Sequence, residues 1–86
     1  MRKIVFSPVA LQQLEDWKLQ NPRISNRIVL LITAISESPF SGIGKPEPLK
    51  HTLKGKWSRR ITQEHRLVYE VTDFDIRILS CKFHYD

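Results

Sequence analysis

Glu47, Arg66 and His84 are residue types that together could move protons around a phosphodiester. Glu47 stands in "KPEPLKH", between Pro46 and Pro48. Proline fixes its own φ and drives the residue before it to extended backbone, so Glu47 is a carboxylate on a stiff stretch of loop. A carboxylate held still beside Lys45 and Lys50 suits a general base. A surface glutamate in a proline-rich turn is the commoner origin of such a motif, so Glu47 alone is a weak signal. His84, in the terminal "CKFHYD", can exchange a proton near neutral pH. Arg60 and Arg66 offer planar, permanently charged forks that match phosphate oxygens. Tyr85 and Trp57 could stack on a base. Packing is the better reading for Trp57 and an even one for Tyr85. His51 is a further candidate for phosphate contact, whereas His65 reads as structural.

A base, an acid, several cations and one or two aromatics are the equipment for cutting RNA through its own 2′-hydroxyl. Glu47 would take the 2′-OH proton, and the freed oxygen would attack the neighbouring phosphorus. Arg66 and Lys50 would stabilise the charge growing on the phosphoryl oxygens. His84 would protonate the leaving 5′-oxygen. DNA lacks the 2′-hydroxyl and would not be cut this way. His51, His65, Cys81 and His84 match no tight zinc-ligand spacing, so we expect no metal site and no cofactor. No phosphate-binding loop, dinucleotide fingerprint or helix-turn-helix is present in the sequence.

The charge distribution points the same way. Residues 45–66, "KPEPLKHTLKGKWSRRITQEHR", hold seven Lys/Arg against Glu47 and Glu64, which accounts for the whole net charge of +5. A local basic block of this kind suits a polyanionic partner, nucleic acid first among them. Within it, Lys45, Lys50, His51, Lys54 and Arg60 are the expected RNA-binding positions. The 86 residues, 41% hydrophobic, suffice for one modest core, and we expect a single domain over 1–86. No apolar run is long enough for a membrane span, and the first residues lack the pattern of a signal peptide. A lone cysteine, Cys81, fits a reducing compartment, so a cytoplasmic location is expected.

Positioning these groups requires a sheet. Lys3–Phe6 reads as a first strand. Ser7–Pro8 and Asn21–Pro22 each read as a helix start, a cap followed by a proline whose missing N–H costs nothing. Ala10, Leu11, Leu14 and Trp17 form one apolar stripe at helical spacing; Ile24, Ile28, Leu31, Ile32 and Ile35 form the next, ended by Pro39. After a Gly/Pro-rich loop come strand-like segments at about 56–62, 65–72 and 75–84. The order β-α-α-β-β-β predicts an α+β fold, both helices packed on one face of a small, mainly antiparallel sheet. Alternation then sorts side chains. Leu67, Tyr69 and Val71 would face the helices, with Leu79, Cys81, Phe83 and Tyr85 on the last strand. Arg66, Lys82 and His84 would face the open side, and Phe83 would anchor the end.

The segments "GKPEPLKH", "WSRRITQEHRLVYEV" and terminal "FHY" closely resemble the YoeB toxins, a branch of the RelE/ParE superfamily of toxin–antitoxin systems. The resemblance is specific from Pro39 to Tyr85 and weaker across the helices. It implies a RelE-like fold and a toxin that enters the A site of a translating 70S ribosome, cuts the mRNA there and halts protein synthesis. It also implies a cognate YefM-like antitoxin with an acidic, partly disordered segment, and a homodimer. The family's catalytic residues fall on Glu47 as base, Arg66 as phosphate ligand and His84 as acid, with Tyr85 assisting. Chains of this kind often stop at the His-Tyr pair. This one adds Asp86, whose carboxylate would favour the protonated form of His84 and retune activity. Three rivals are a ParE-like gyrase inhibitor, which lacks this residue set, an inactive toxin relic kept for binding its antitoxin, and a ribosome- or RNA-binding module that never cuts. Glu47 is awkward for the last, since a negative charge in a phosphate groove weakens binding unless it has a chemical use.

Overall fold

The computed structural model of the chain describes residues 2–83. Its elements are β1 (Lys3–Phe6), α1 (Pro8–Gln20), α2 (Pro22–Glu37), β2 (Glu47–Pro48), a 3₁₀ turn (His51–Leu53), β3 (Lys56–Arg60), β4 (Arg66–Val71) and β5 (Asp75–Ser80). The strands form one sheet in the order β1-β5-β4-β3-β2, antiparallel throughout except for the parallel pair β1·β5. The expected order of helices and strands is borne out, with the addition of the two-residue edge strand β2 inside the long loop.

Both helix starts follow from their sequences. Ser7 Oγ accepts the Ala10 amide at 3.0 Å, and Pro8 opens α1 where no intrahelical donor is needed. The same hydroxyl donates to the Leu79 carbonyl at 2.9 Å, joining the helix start to β5. Asn21 stands at the N-terminus of α2 without a side-chain cap bond. The core gathers Ala10, Leu14 and Trp17 of α1, Ile28, Leu31 and Ile35 of α2, and Ile61, Leu67, Tyr69, Ile76, Ile78 and Cys81 from the sheet side. Leu11, read as part of the α1 stripe, is 49% exposed and lies off it.

The last strand departs from simple alternation. Tyr69 pairs with Ile78 and Val68 pairs with Ser80, so one residue of β4 is matched by an extra residue, Leu79, on β5. This bulge shifts the alternation by one position. Ile76 and Ile78 therefore meet the helices, fully buried, and not Leu79 as alternation alone predicts. Beyond the bulge Cys81 regains the core side, as expected. Burial holds the Cys81 thiol up at about 11, so it stays protonated and unreactive at neutral pH. β5 ends at Ser80, four residues short of its expected limit.

Candidate nucleic-acid interface

The face of the sheet away from the helices carries three cross-strand rows. The middle row runs Glu47, Ser58, Val68, Ser80 across β2, β3, β4 and β5. Its three inner members are small and buried, and Glu47 ends it at the edge with its side chain 53% exposed. On one side lies the pair Arg60–Arg66. On the other, Glu70 lies 4.0 Å from Lys56 Nζ and 3.6 Å from Arg77 Nη1, and Asp75 lies 3.2 Å from Arg77 Nε, so two carboxylates offset the two cations. The face is thus a floor of small side chains with a cationic border, a charge-balanced border and one carboxylate at the rim. Strand spacing puts Glu47 and the β4 residues about 10 Å apart across two ladders, within the span of one nucleotide and its neighbours.

The basic block of 45–66 divides among different tasks. Lys45 Nζ sits 3.6 Å from Glu47, a pair more than half exposed at both ends and therefore worth little to stability. Lys56 pairs with Glu70. Lys50, Lys54, Arg60 and Arg66 have no carboxylate partner among the described residues, and Lys50, His51, Lys54 and Arg60 are exposed. Arg66 anchors one nitrogen only. Its Nη1 donates to the carbonyls of Thr62, Gln63 and His65 at 2.8, 2.9 and 3.2 Å. That mooring fixes the fork while the Nε and Nη2 donors have no partner among the described residues.

Arg59, the remaining member of the block, lies on the opposite side. It is fully buried between sheet and loop. Its Nε donates to Tyr69 Oη at 3.2 Å, Nη1 to the Ile43 carbonyl at 3.0 Å, and Nη2 to the carbonyls of Ser38 and Ser41 at 2.6 and 2.9 Å. Tyr69 Oη in turn donates to the Pro39 carbonyl at 2.7 Å. Burial raises the Tyr69 pKa, and the adjacent Arg59 lowers it in part, so the phenol keeps its proton to donate. These bonds tie the 38–43 loop beneath β3. Gly44 follows at φ +81°, packed so closely that a Cβ there would lie 2.7 Å from Leu31 and 3.1 Å from Arg59. The Gly44 carbonyl then accepts the Arg60 amide at 2.6 Å, and the chain enters β2. Glu47 is therefore mounted on a loop anchored from below. Sequence reading missed Arg59 because its charge is indistinguishable from its neighbours'. Alternation along β3, which sends the neighbours Arg59 and Arg60 to opposite faces, was the available signal.

Trp57 packs on Phe40 at 4.9 Å on the helix side, consistent with packing and not base stacking. His65 is buried against Trp17, as expected for a structural histidine. Phe83 differs from expectation: the residue is 58% exposed, and its backbone does the anchoring. The Phe83 amide donates to His65 Nδ1 and its carbonyl accepts from the Arg66 amide, both at 2.8 Å. Just before it, the Cys81 amide donates to Gln13 Oε1 at 2.7 Å, and its carbonyl accepts from Trp17 Nε1 at 2.9 Å. Phe83 has φ +62°, a left-handed conformation costing a bulky residue about 1–2 kcal/mol. His84 and Tyr85 lie outside the described residues.

The family of YoeB-like toxins of bacterial type II toxin-antitoxin systems matches residues 6–85. The chain belongs to the YoeB toxin family. It is 51% identical to toxin YoeB of Synechocystis sp. over 83 residues, covering 96% of both chains. The YoeB/ParE toxin of Agrobacterium tumefaciens shares its structure with a TM-score of 0.94 at 41% identity, over 96% of this chain and 99% of that one. The YoeB dimer of Staphylococcus aureus matches with a TM-score of 0.92 at 44% identity, over 98% of each chain. The same organism's YoeB–YefM complex matches with 0.89 at 44%, over 99% of each. YoeB membership makes the chain a toxin of a type II system. No helix among the described residues is long and apolar enough to cross a membrane.

Proposed function

We propose that this toxin is an endoribonuclease that cuts mRNA in the ribosomal A site, by metal-free acid–base attack of the 2′-hydroxyl on the adjacent phosphorus. The observation that carries the reading is the carboxylate of Glu47 at the edge of a sheet face floored by Ser58 and Val68 and bordered by Arg60 and Arg66. A carboxylate opposes phosphate binding, so its place there fits chemistry better than adhesion. Glu47 Oε takes the 2′-OH proton; the moored Arg66 fork, with Lys50, meets the non-bridging oxygens as their charge grows. His84 gives its proton to the 5′-oxygen as that bond breaks, with Tyr85 assisting. Lys45, His51, Lys54 and Arg60 hold the flanking phosphates. The partners that fit are the 70S ribosome with its mRNA, a YefM-like antitoxin carrying an acidic segment, and a second copy of the chain; the compartment is the cytoplasm.

The test is to map mRNA 5′ ends after adding the pure protein to a translation reaction, beside His84→Ala. New ends inside the A-site codon, absent with the variant, are expected. Stalled translation on intact mRNA would favour a non-cleaving binder, and unimpaired translation would turn attention to gyrase.

Lys50 gives a second handle. With Lys50→Ala, binding to a short RNA should weaken, and the slope of log K against log salt should flatten by about 0.7, the loss of one phosphate contact on a single strand. An unchanged slope across a salt titration would place Lys50 outside the RNA path.

A further inference from the structure

His65 has no part in the chemistry just described, yet its ring makes a bond that a packing residue does not need. An amide N–H can only donate, so the 2.8 Å contact from Phe83 requires an unprotonated Nδ1 on His65. The ring is therefore neutral, with its hydrogen on Nε2, which lies 3.7 Å from Glu64 Oε2. The backbone of His65 is held on both sides. The His65 amide is bonded to Thr62 Oγ1, and its carbonyl accepts from the Ile61 and Thr62 amides at 3.0 and 3.2 Å. Trp17 packs edge-on to the ring at 4.8 Å.

We propose that His65 is a positioning residue: by accepting the Phe83 amide it holds Phe83 in its left-handed turn and so sets the direction in which the chain continues into His84. Left-handed backbone at a bulky residue persists only where its surroundings over-determine it, and such strain gathers at functional sites. Here both polar groups of Phe83 are taken, one by the His65 ring and the other by the amide of Arg66. The adjacent residues 65 and 66 thus grip the chain end from two sides, and one of them is the proposed phosphate ligand. The role in catalysis rests on the nuclease reading above; the grip on Phe83 does not.

Nuclear magnetic resonance on the wild-type protein reads the grip directly. A coupling across the hydrogen bond between the Phe83 amide nitrogen and His65 Nδ1 is expected, with Nδ1 unprotonated. A protonated Nδ1 would overturn the proposal. His65→Leu fills much of the ring's volume but removes the acceptor; His65→Asn puts an oxygen near the place of Nδ1. In His65→Leu the Phe83 amide should lose its exchange protection and the cleavage rate should fall about 10²-fold, the effect of a small misplacement of a reacting group. Ribosome binding should stay within about twofold, because no phosphate contact is touched. His65→Asn should restore protection and most of the rate. Loss of protection with an unchanged rate would overturn the positioning role. So would slow cleavage in His65→Asn despite restored protection. A wild-type protein that shows the coupling but cuts nothing would refute the nuclease reading and leave the grip established.

Discussion

Glu47→Gln will slow mRNA cleavage by about 10²–10⁴-fold, the usual contribution of a general base. Glutamine has the shape of glutamate but cannot take the 2′-OH proton. Its nearest neighbours in the row offer no substitute, since Ser58 and Ser80 are buried hydroxyls and Val68 is apolar. The backbone mount remains, because the β2–β3 pairing uses main-chain groups. The ion pair to Lys45 is lost, but it is exposed and screened, so stability should change little. Ribosome binding should hold or tighten, since a negative charge leaves a cationic border. The diagnostic pattern is a fall in the single-turnover rate with undiminished affinity. A rate within tenfold of wild type would show that Glu47 is not the base. His84→Ala should lose a similar factor from the other side of the reaction.

Arg59→Met will cost about 3–5 kcal/mol of stability, since several acceptors are left without a donor at about 1–3 kcal/mol each. Methionine fits the volume but strands the carbonyls of Ser38, Ser41 and Ile43, each an acceptor aimed into a buried place. Tyr69 keeps its bond to Pro39 yet loses the donor to its oxygen. For a chain of 86 residues, that cost lowers the melting temperature by roughly 15–30 °C. Thermal melts followed by circular dichroism measure it directly. A shift of only a few degrees would mean that the 38–43 loop holds itself without the arginine.

How far these results were legible from sequence depends on the distance over which each signal acts. Ser7–Pro8 announced α1 because a cap and an N-terminal proline are local devices, and the α2 stripe followed from periodicity alone. The open-face location of Arg66 followed from alternation within its own strand. The bulge at Leu79 was not legible, because it depends on the pairing partner on β4 and on Ser7, 72 positions earlier, whose hydroxyl bonds the Leu79 carbonyl. For the same reason the Leu79 and Ile78 sides were exchanged. Strand β2 is two residues long and has no periodicity to read. Arg59 illustrates the deepest limit. A basic run signals a surface, and only the carbonyls of a distant loop reveal that one of its charges is solvated by protein instead of water.

The parallel pairing of β1 with β5 joins Lys3 to Asp75 and Phe6 to Ile78. The first strand made by the ribosome must wait for the last one. Until residues 75–80 emerge, β1 has no neighbour in the sheet, and the apolar faces of both helices lack Ile76 and Ile78 to close against. Contacts this distant in sequence form late, since the intervening chain must be ordered first. The sheet that carries the toxin's basic face therefore stays incomplete until residues 75–80 have been made, however early β1 and the two helices emerge.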